Sequence, residues 1–209
     1  MRLEKSEIVM LIIVVLSFLV GIFIYDKMPQ SMASHWNLRG EVDGYLPKFW
    51  GVFILPLLLT GLSVLYILIP RVGPLKENIR AFITYHHLFA IFSLVFLFGV
   101  YIQMLLWNVG KEISFFATLP LGLGLLFFFL GVLCENARRN WFIGIRTPWT
   151  LKSPAVWRKT NQLGGKLLKL SGLIAFLGIV FSKYAIFFMF VPLTLTAVIT
   201  IAYSYFAYQ

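Results

Sequence analysis

The chain has 209 residues, of which 60% are hydrophobic and only 12% charged, and its mean hydropathy is +0.87. A soluble domain carries about 25% charged residues, so a soluble globular fold is excluded and an integral membrane protein is expected. The net charge of +10 would suggest nucleic acid in a soluble chain, but here Lys and Arg lie between apolar runs, where they report topology and anionic lipid; no direct nucleic-acid contact is expected.

A hydrocarbon core about 30 Å thick takes about 20 apolar residues per helix. Six such runs can be read, with short connections and no room for a separate soluble domain. The first, 8–25, follows the mixed segment MRLEKSE, lacks a small-residue cleavage signature and reads as an uncleaved span. The second, 49–69, is entered through Pro47 and closed by Pro70, with Pro56 expected to bend it rather than end it. The third, 82–106, is expected to continue a helix that starts over 75–81, where good helix formers follow Pro74. Runs over 115–134, 167–181 and 184–205 complete the set, the short fifth borrowing length from 164–166. The fold expected is all-α: an N-terminal helical hairpin over 1–70, a central one over 71–134, and a basic connection with a C-terminal hairpin over 135–209. The single cysteine, Cys134, excludes an intramolecular disulfide and reads as a buried thiol.

Orientation follows from the basic residues. One face receives 2 Lys and Arg at the N-terminus, 3 between Pro70 and Ala81 and 8 between Glu135 and Lys169, against 3, 1 and 1 on the other. The positive-inside rule then puts both termini and the long basic connection in the cytoplasm, and the 26–48 loop outside a bacterial cytoplasmic membrane.

The outer loop reads MPQSMASHWNLRGEVDGYLPKFW, and Gly40, the Asp43-Gly44 pair and Pro47 mark turns. His35 with Asp26, Glu41 and Asp43 has no recognised metal-ligand spacing, so no metal or cofactor is expected; an ordered cap, with His35 and Trp36 packed on neighbouring loops or the bilayer surface, is the simpler reading. His86 and His87, adjacent on a helix, point about 100° apart and are read as structural. Gln103 is expected to make an interhelical hydrogen bond. No charged residue falls in the middle of a predicted span, which argues against a proton-coupled pump or a channel with a charged pathway.

The inner connection from Asn136 to Lys169 holds 8 of the 18 Lys and Arg, no acid, three Trp and two Pro. Ser153-Pro154 is a helix start, the hydroxyl capping free N–H groups and proline taking the first helical position. An interfacial helix is expected from Pro154, with Trp157 at headgroup level and Gly164-Gly165 as a hinge before the fifth span. Thr147 before Pro148 excludes a long helix upstream. An anionic-lipid anchor would tolerate any order of basic and aromatic residues, whereas this segment also has ordered polar residues.

The sequence NWFIGIRTPWTLKSPAVWRKTNQLGG resembles the signature loop of the SdpI family, bacterial membrane proteins named for immunity to a secreted sporulation-delay toxin. Asn140, Gly144, Arg146, Thr147, Pro148, Trp149, Thr150, Trp157, Thr160 and Asn161 carry the match. Pro29, His35, Trp36, Asn37, Gly40, Asp43 and Gly44 resemble the HWN…G…DG element in the N-terminal segment of many relatives. The resemblance implies a non-enzymatic protein that protects the membrane from a secreted peptide toxin; in the family's type member the toxin-occupied form also holds a transcriptional repressor at the membrane. In that reading the outer-loop residues His35, Trp36, Asn37, Gly40, Asp43 and Gly44 meet the toxin, while the ten inner-loop residues meet a cytosolic partner or anionic lipid. A small transporter or lipid-handling protein, with phosphate held by Arg146, stays open as the alternative. For an enzyme there is no nucleophile-base pair, metal box or paired carboxylate.

Overall fold

A computed structural model describes residues 4–37 and 39–209; Arg2, part of the charge count, and Leu38 lie outside the described residues. The elements run α1 (Lys5–Ile24), β1 (Ser31–Trp36), β2 (Val42–Pro47), α2 (Lys48–Leu68), α3 (Lys76–Arg80), α4 (Ile83–Asn108), α5 (Phe115–Asn136), α6 (Pro148–Lys152), α7 (Pro154–Ala175), α8 (Leu177–Val180) and α9 (Ala185–Phe206). Six helical segments are long and apolar enough to cross a membrane: α1, α2, α4, α5, α7 with α8, and α9. The chain is a multi-pass membrane protein, helical apart from one antiparallel β-hairpin among the described residues.

Side chains group the helices as two triplets. In the first, α1, α2 and α4 enclose Met10, Ile13, Val14, Leu59, Ala90 and Leu94. At one end Glu7, 1% exposed, receives both guanidinium nitrogens of Arg71, tying the start of α1 to the chain just beyond α2. Nearby, His86 shares a 2.9 Å hydrogen bond with the Tyr66 carbonyl and His87 lies 3.5 Å from Glu4, so the two histidines serve different neighbours, as their helical spacing requires.

The second triplet is α5, α7 and α9, and its closest contact is α5 on α7. Gly124 and Gly131 of α5 oppose Gly172 and Gly165 of α7 in an antiparallel pair. A Cβ on Gly165 would lie 2.6 Å from the Gly131 carbonyl, and one on Gly131 would lie 2.5 Å from the Gly165 carbonyl. In lipid, where the hydrophobic effect does not press helices together, such backbone-to-backbone approach supplies dispersion contacts. Beside it Lys169 donates to Glu135 at 2.8 Å. The pair lies level with the end of α5, since Glu135 is its penultimate residue, and the charge of Lys169 is neutralised across the interface there. The triplets meet where α4 packs on α5, and the expected interhelical bond of Gln103 is found there: it accepts from Thr118 at 2.6 Å and donates to the Ile113 carbonyl at 3.0 Å.

Two expected boundaries are corrected. The 75–81 segment does not run into the third span; α3 is a separate five-residue helix, entered through Leu75 at φ 61° and left through Phe82 at φ −126°. The break lets Ile79 and Phe82 turn inward onto Leu133, Ala137 and Trp157. The fifth span, in turn, has no hinge at Gly164-Gly165: α7 is continuous from Pro154 to Ala175. Its N-terminal half looks polar, yet Val156, Trp157, Thr160, Asn161, Gly164, Gly165 and Leu168 are buried along one stripe. That is a helical face turned to protein, with no need of an interfacial helix.

Candidate functional site

The conspicuous candidate residues fall at opposite ends of the bundle. At one end stands the hairpin. Ser31 pairs with Pro47, Met32 with Leu46 and Ala33 with Tyr45, and the ladder then shifts so that His35 faces Gly44 and Trp36 faces Val42. Asn37 organises the tip: its side-chain oxygen accepts from the backbone of Arg39 (2.8 Å) and Glu41 (3.1 Å), and its amide donates to the Glu41 carboxylate at 2.9 Å. Gly40 adopts φ +80°, which fits its reading as a turn residue. Asp43-Gly44 is not a turn but part of β2; a Cβ on Gly44 would lie 2.8 Å from the His35 Cβ, so glycine is needed for cross-strand approach.

The hairpin is fastened to the bundle by Asn108 at the end of α4, which accepts from Ala33 N–H at 2.8 Å and donates to its carbonyl at 2.9 Å. Met32 is fully buried against Gly51, and Trp36 packs on Trp107 and Phe115 with ring centroids 5.4 and 4.3 Å away. His35 and Asp43 remain exposed and pair with each other through Nδ1 and Oδ1. Of the outer candidates, His35 and Asp43 therefore expose polar groups at the surface, Trp36, Asn37, Gly40 and Gly44 shape the hairpin, and exposed Tyr45, missed in the sequence, adds an aromatic surface. Among the described residues, no three of His, Cys, Asp and Glu gather where they could hold a metal ion.

At the other end lies the basic connection, and its motif residues face mostly inward. Asn140, fully buried, knots the chain: its amide donates to the carbonyls of Arg138 (2.8 Å) and Ile143 (2.9 Å), and its oxygen accepts from the N–H groups of Phe142 and Ile143, both at 2.7 Å. Asn161 on α7 does the same from the other side, accepting from Ile145 N–H at 2.8 Å. Gly144, at φ +113°, is required between them, because a Cβ there would lie 2.7 Å from the Asn161 oxygen and 3.0 Å from the Trp157 ring. Trp157 donates its indole N–H to the Ala137 carbonyl at 2.7 Å. Thr147 and Thr150 form a capping box at the start of α6, and Thr147 also donates to Ser204 of α9 at 3.0 Å. Thr160 is fully buried on the same face of α7, and its hydroxyl has no hydrogen-bond partner among the described residues.

The polar side chains of Asn140, Thr147, Thr150, Trp157 and Asn161 are thus engaged in hydrogen bonds that hold the connection together. The surface they hold up carries Arg146, Pro148 and Trp149. Arg146 is exposed, donates through Nη1 to the Trp141 carbonyl at 2.5 Å and forms no ion pair among the described residues; the Glu135 carboxylate pairs with Lys169 instead. Trp149 stands edge-on to Tyr205 of α9 at 5.2 Å. A second surface, a cleft of about 620 Å³, opens beside Ala137 and the start of α7 and is rimmed by Arg138, Arg139 and Arg158. Its walls are braced: Asn78 of α3 donates to the Arg139 carbonyl at 2.7 Å, and Arg139 donates to the Leu151 carbonyl at 3.1 Å. Asn78 and Arg158 carry no motif signal, because only folding brings α3, the connection and α7 to one rim.

Residues 136–204 match the model of the SdpI/YfhL protein family, and residues 12–60 match a domain of unknown function, DUF1648. Over 206 residues, 98% of this chain and 97% of the relative, the chain is 29% identical to a protein of Bacillus subtilis (strain 168) named immunity protein SdpI. No solved structure matches. The first match contains α6, α7 and the knotted connection, and the second spans the outer hairpin with most of the two helices that carry it.

Proposed function

We propose that the chain is a non-enzymatic immunity protein of the SdpI kind, protecting the membrane that holds it from a secreted antimicrobial peptide. Similarity to an immunity protein along nearly the whole chain is the observation that carries this reading. In it the hairpin end meets the peptide, through His35, Asp43 and Tyr45. The Arg138, Arg139 and Arg158 cleft meets an acidic surface of a cytosolic partner, a transcriptional repressor being the partner the family resemblance suggests. Braced walls and guanidinium groups without a carboxylate partner among the described residues suit such a contact, since little loop entropy is left to lose.

The test is survival. Produced in a strain sensitive to a secreted sporulation-delay toxin and lacking its own immunity gene, the chain is expected to raise survival by about tenfold or more. His35→Ala with Asp43→Ala should lower protection at unchanged membrane level. Survival equal to that of the empty strain at normal protein level would refute the immunity reading.

Orientation has its own check. The Lys and Arg asymmetry places the hairpin outside. In a Cys134→Ser background, a cysteine at position 39 should react with an impermeant maleimide in intact cells, and one at position 146 only after permeabilisation. The reverse pattern would invert the bundle.

A further inference from the structure

We propose that the groove between α7 and α9, closed at one end by Arg146, seats one chain of an anionic phospholipid whose phosphate is held by the Arg146 guanidinium. The groove holds about 250 Å³ beneath Arg146 and Thr147 and is walled by Leu168 on α7 and by Leu193, Ala197 and Ile201 on α9. Small-ligand pockets run from about 300 to 1,000 Å³, and a helix with its side chains is about 10–12 Å across. The space therefore suits a single aliphatic chain and excludes a peptide helix.

Its polar atoms ask for nothing. The Thr196 hydroxyl pairs with Ser171 at 3.1 Å and that of Thr200 donates to the Thr196 carbonyl at 2.8 Å, so both threonines leave the groove an apolar lining. Charge enters only at the mouth. Arg146 uses one N–H on the Trp141 carbonyl and has no carboxylate partner among the described residues, which leaves the rest of its donors for a ligand. Trp149 against Tyr205 marks the same end of α9 with the aromatic pair expected at the membrane-water boundary. A planar guanidinium at headgroup level, above an open aliphatic groove, complements a phosphate diester with an attached acyl chain. The Arg138 and Arg158 cleft differs in this respect, since no Leu, Ile, Val or Phe lines it and it gives an acyl chain no path.

This inference stands apart from the immunity reading, since a failed survival test leaves it intact and its own failure leaves survival unexplained in neither direction. The full chain in detergent is titrated with phosphatidylglycerol, with phosphatidylcholine of the same chains, and with glycerol 3-phosphate, and bound copies are counted by native mass spectrometry. One tightly held phosphatidylglycerol is expected, at least tenfold tighter than either comparator. Arg146→Ala should weaken it about tenfold. Ala197→Leu, at an exposed position of α9, should weaken it as much by filling the groove under an unchanged arginine, and it decides the matter if Arg146→Ala fails to fold. Equal retention of phosphatidylcholine would overturn the anionic selectivity, binding of glycerol 3-phosphate as tight as phosphatidylglycerol would reduce the site to a phosphate pocket, and an unaffected Ala197→Leu would remove the acyl seat.

Discussion

Gly165→Leu is expected to destroy the folded bundle. A Cβ at Gly165 would meet the Gly131 carbonyl at 2.6 Å and the Glu135 backbone nitrogen at 3.0 Å, and backbone cannot step aside as a side chain can. Overpacking a core ordinarily costs about 1–3 kcal/mol, with rotamers and small shifts absorbing part of it. Here relief requires α5 and α7 to separate, which also breaks the Glu135–Lys169 pair and the Gly124–Gly172 contact, so a loss at or above the top of that range is expected. The measurement is thermal unfolding of detergent-extracted protein, with the yield of monodisperse protein beside it. Gly61→Ala is the control: nothing lies within 4 Å of a Cβ there, and removing a mid-helix glycine should be neutral or stabilising by up to about 1 kcal/mol. If Gly165→Leu melts within a few degrees of the parent, the α5–α7 contact is not what holds the second triplet together.

Asn140→Ala is expected to open the basic connection while leaving the spans in place. The side chain makes four hydrogen bonds, each to a backbone group of the same loop, and the residue is fully buried. Each such bond contributes about 0.5–1.5 kcal/mol net, and each buried group left unpaired costs about 1–3 kcal/mol. Even with water entering to satisfy part of the loop, about 3 kcal/mol of local stability should go, which raises the open population about a hundredfold. Limited trypsin digestion reads that population, because Arg138, Arg139, Arg146 and Lys152 are cleavage sites between α5 and α7 and cutting follows the open fraction when closing is fast. Cleavage should accelerate by about that factor, while the global melting of the spans moves little. Protection in the survival assay should fall with it, since Asn140 positions Arg138 and the turn before Arg146 without touching a ligand. An unchanged digestion rate would show that the knot is redundant with Asn161 and Trp157.

These two expectations separate what could be read along the chain from what could not. Apolar run length alone marked the six spans, because the bilayer imposes a fixed thickness that no tertiary contact alters. The start of α7 was equally local: Ser153 accepts from Val156 N–H at 3.3 Å, as the Ser-Pro pair predicts. The motif residues at both ends also stood out by type and spacing, with Gly40 and Gly144 both at positive φ in the folded chain.

Their roles were decided by folding. A buried Asn and an exposed one read alike in sequence; Asn140 and Asn161 became internal braces only because α3, α5 and α7 close over the connection. Gly164-Gly165 suggests flexibility in isolation, and the close approach of α5 turns it into a rigid contact. The polar half of α7 looked like an interfacial segment because hydropathy cannot tell a face turned to protein from one turned to water. Asp43-Gly44 looked like a turn until the strand opposite supplied the His35 Cβ that demands glycine. Length, composition and local capping thus determine that this chain spans a membrane six times and where its special residues lie; which of them brace the structure and which are left free for a ligand depends on long-range packing, because burial and hydrogen-bond satisfaction are properties of neighbours that the sequence brings together only in the folded state.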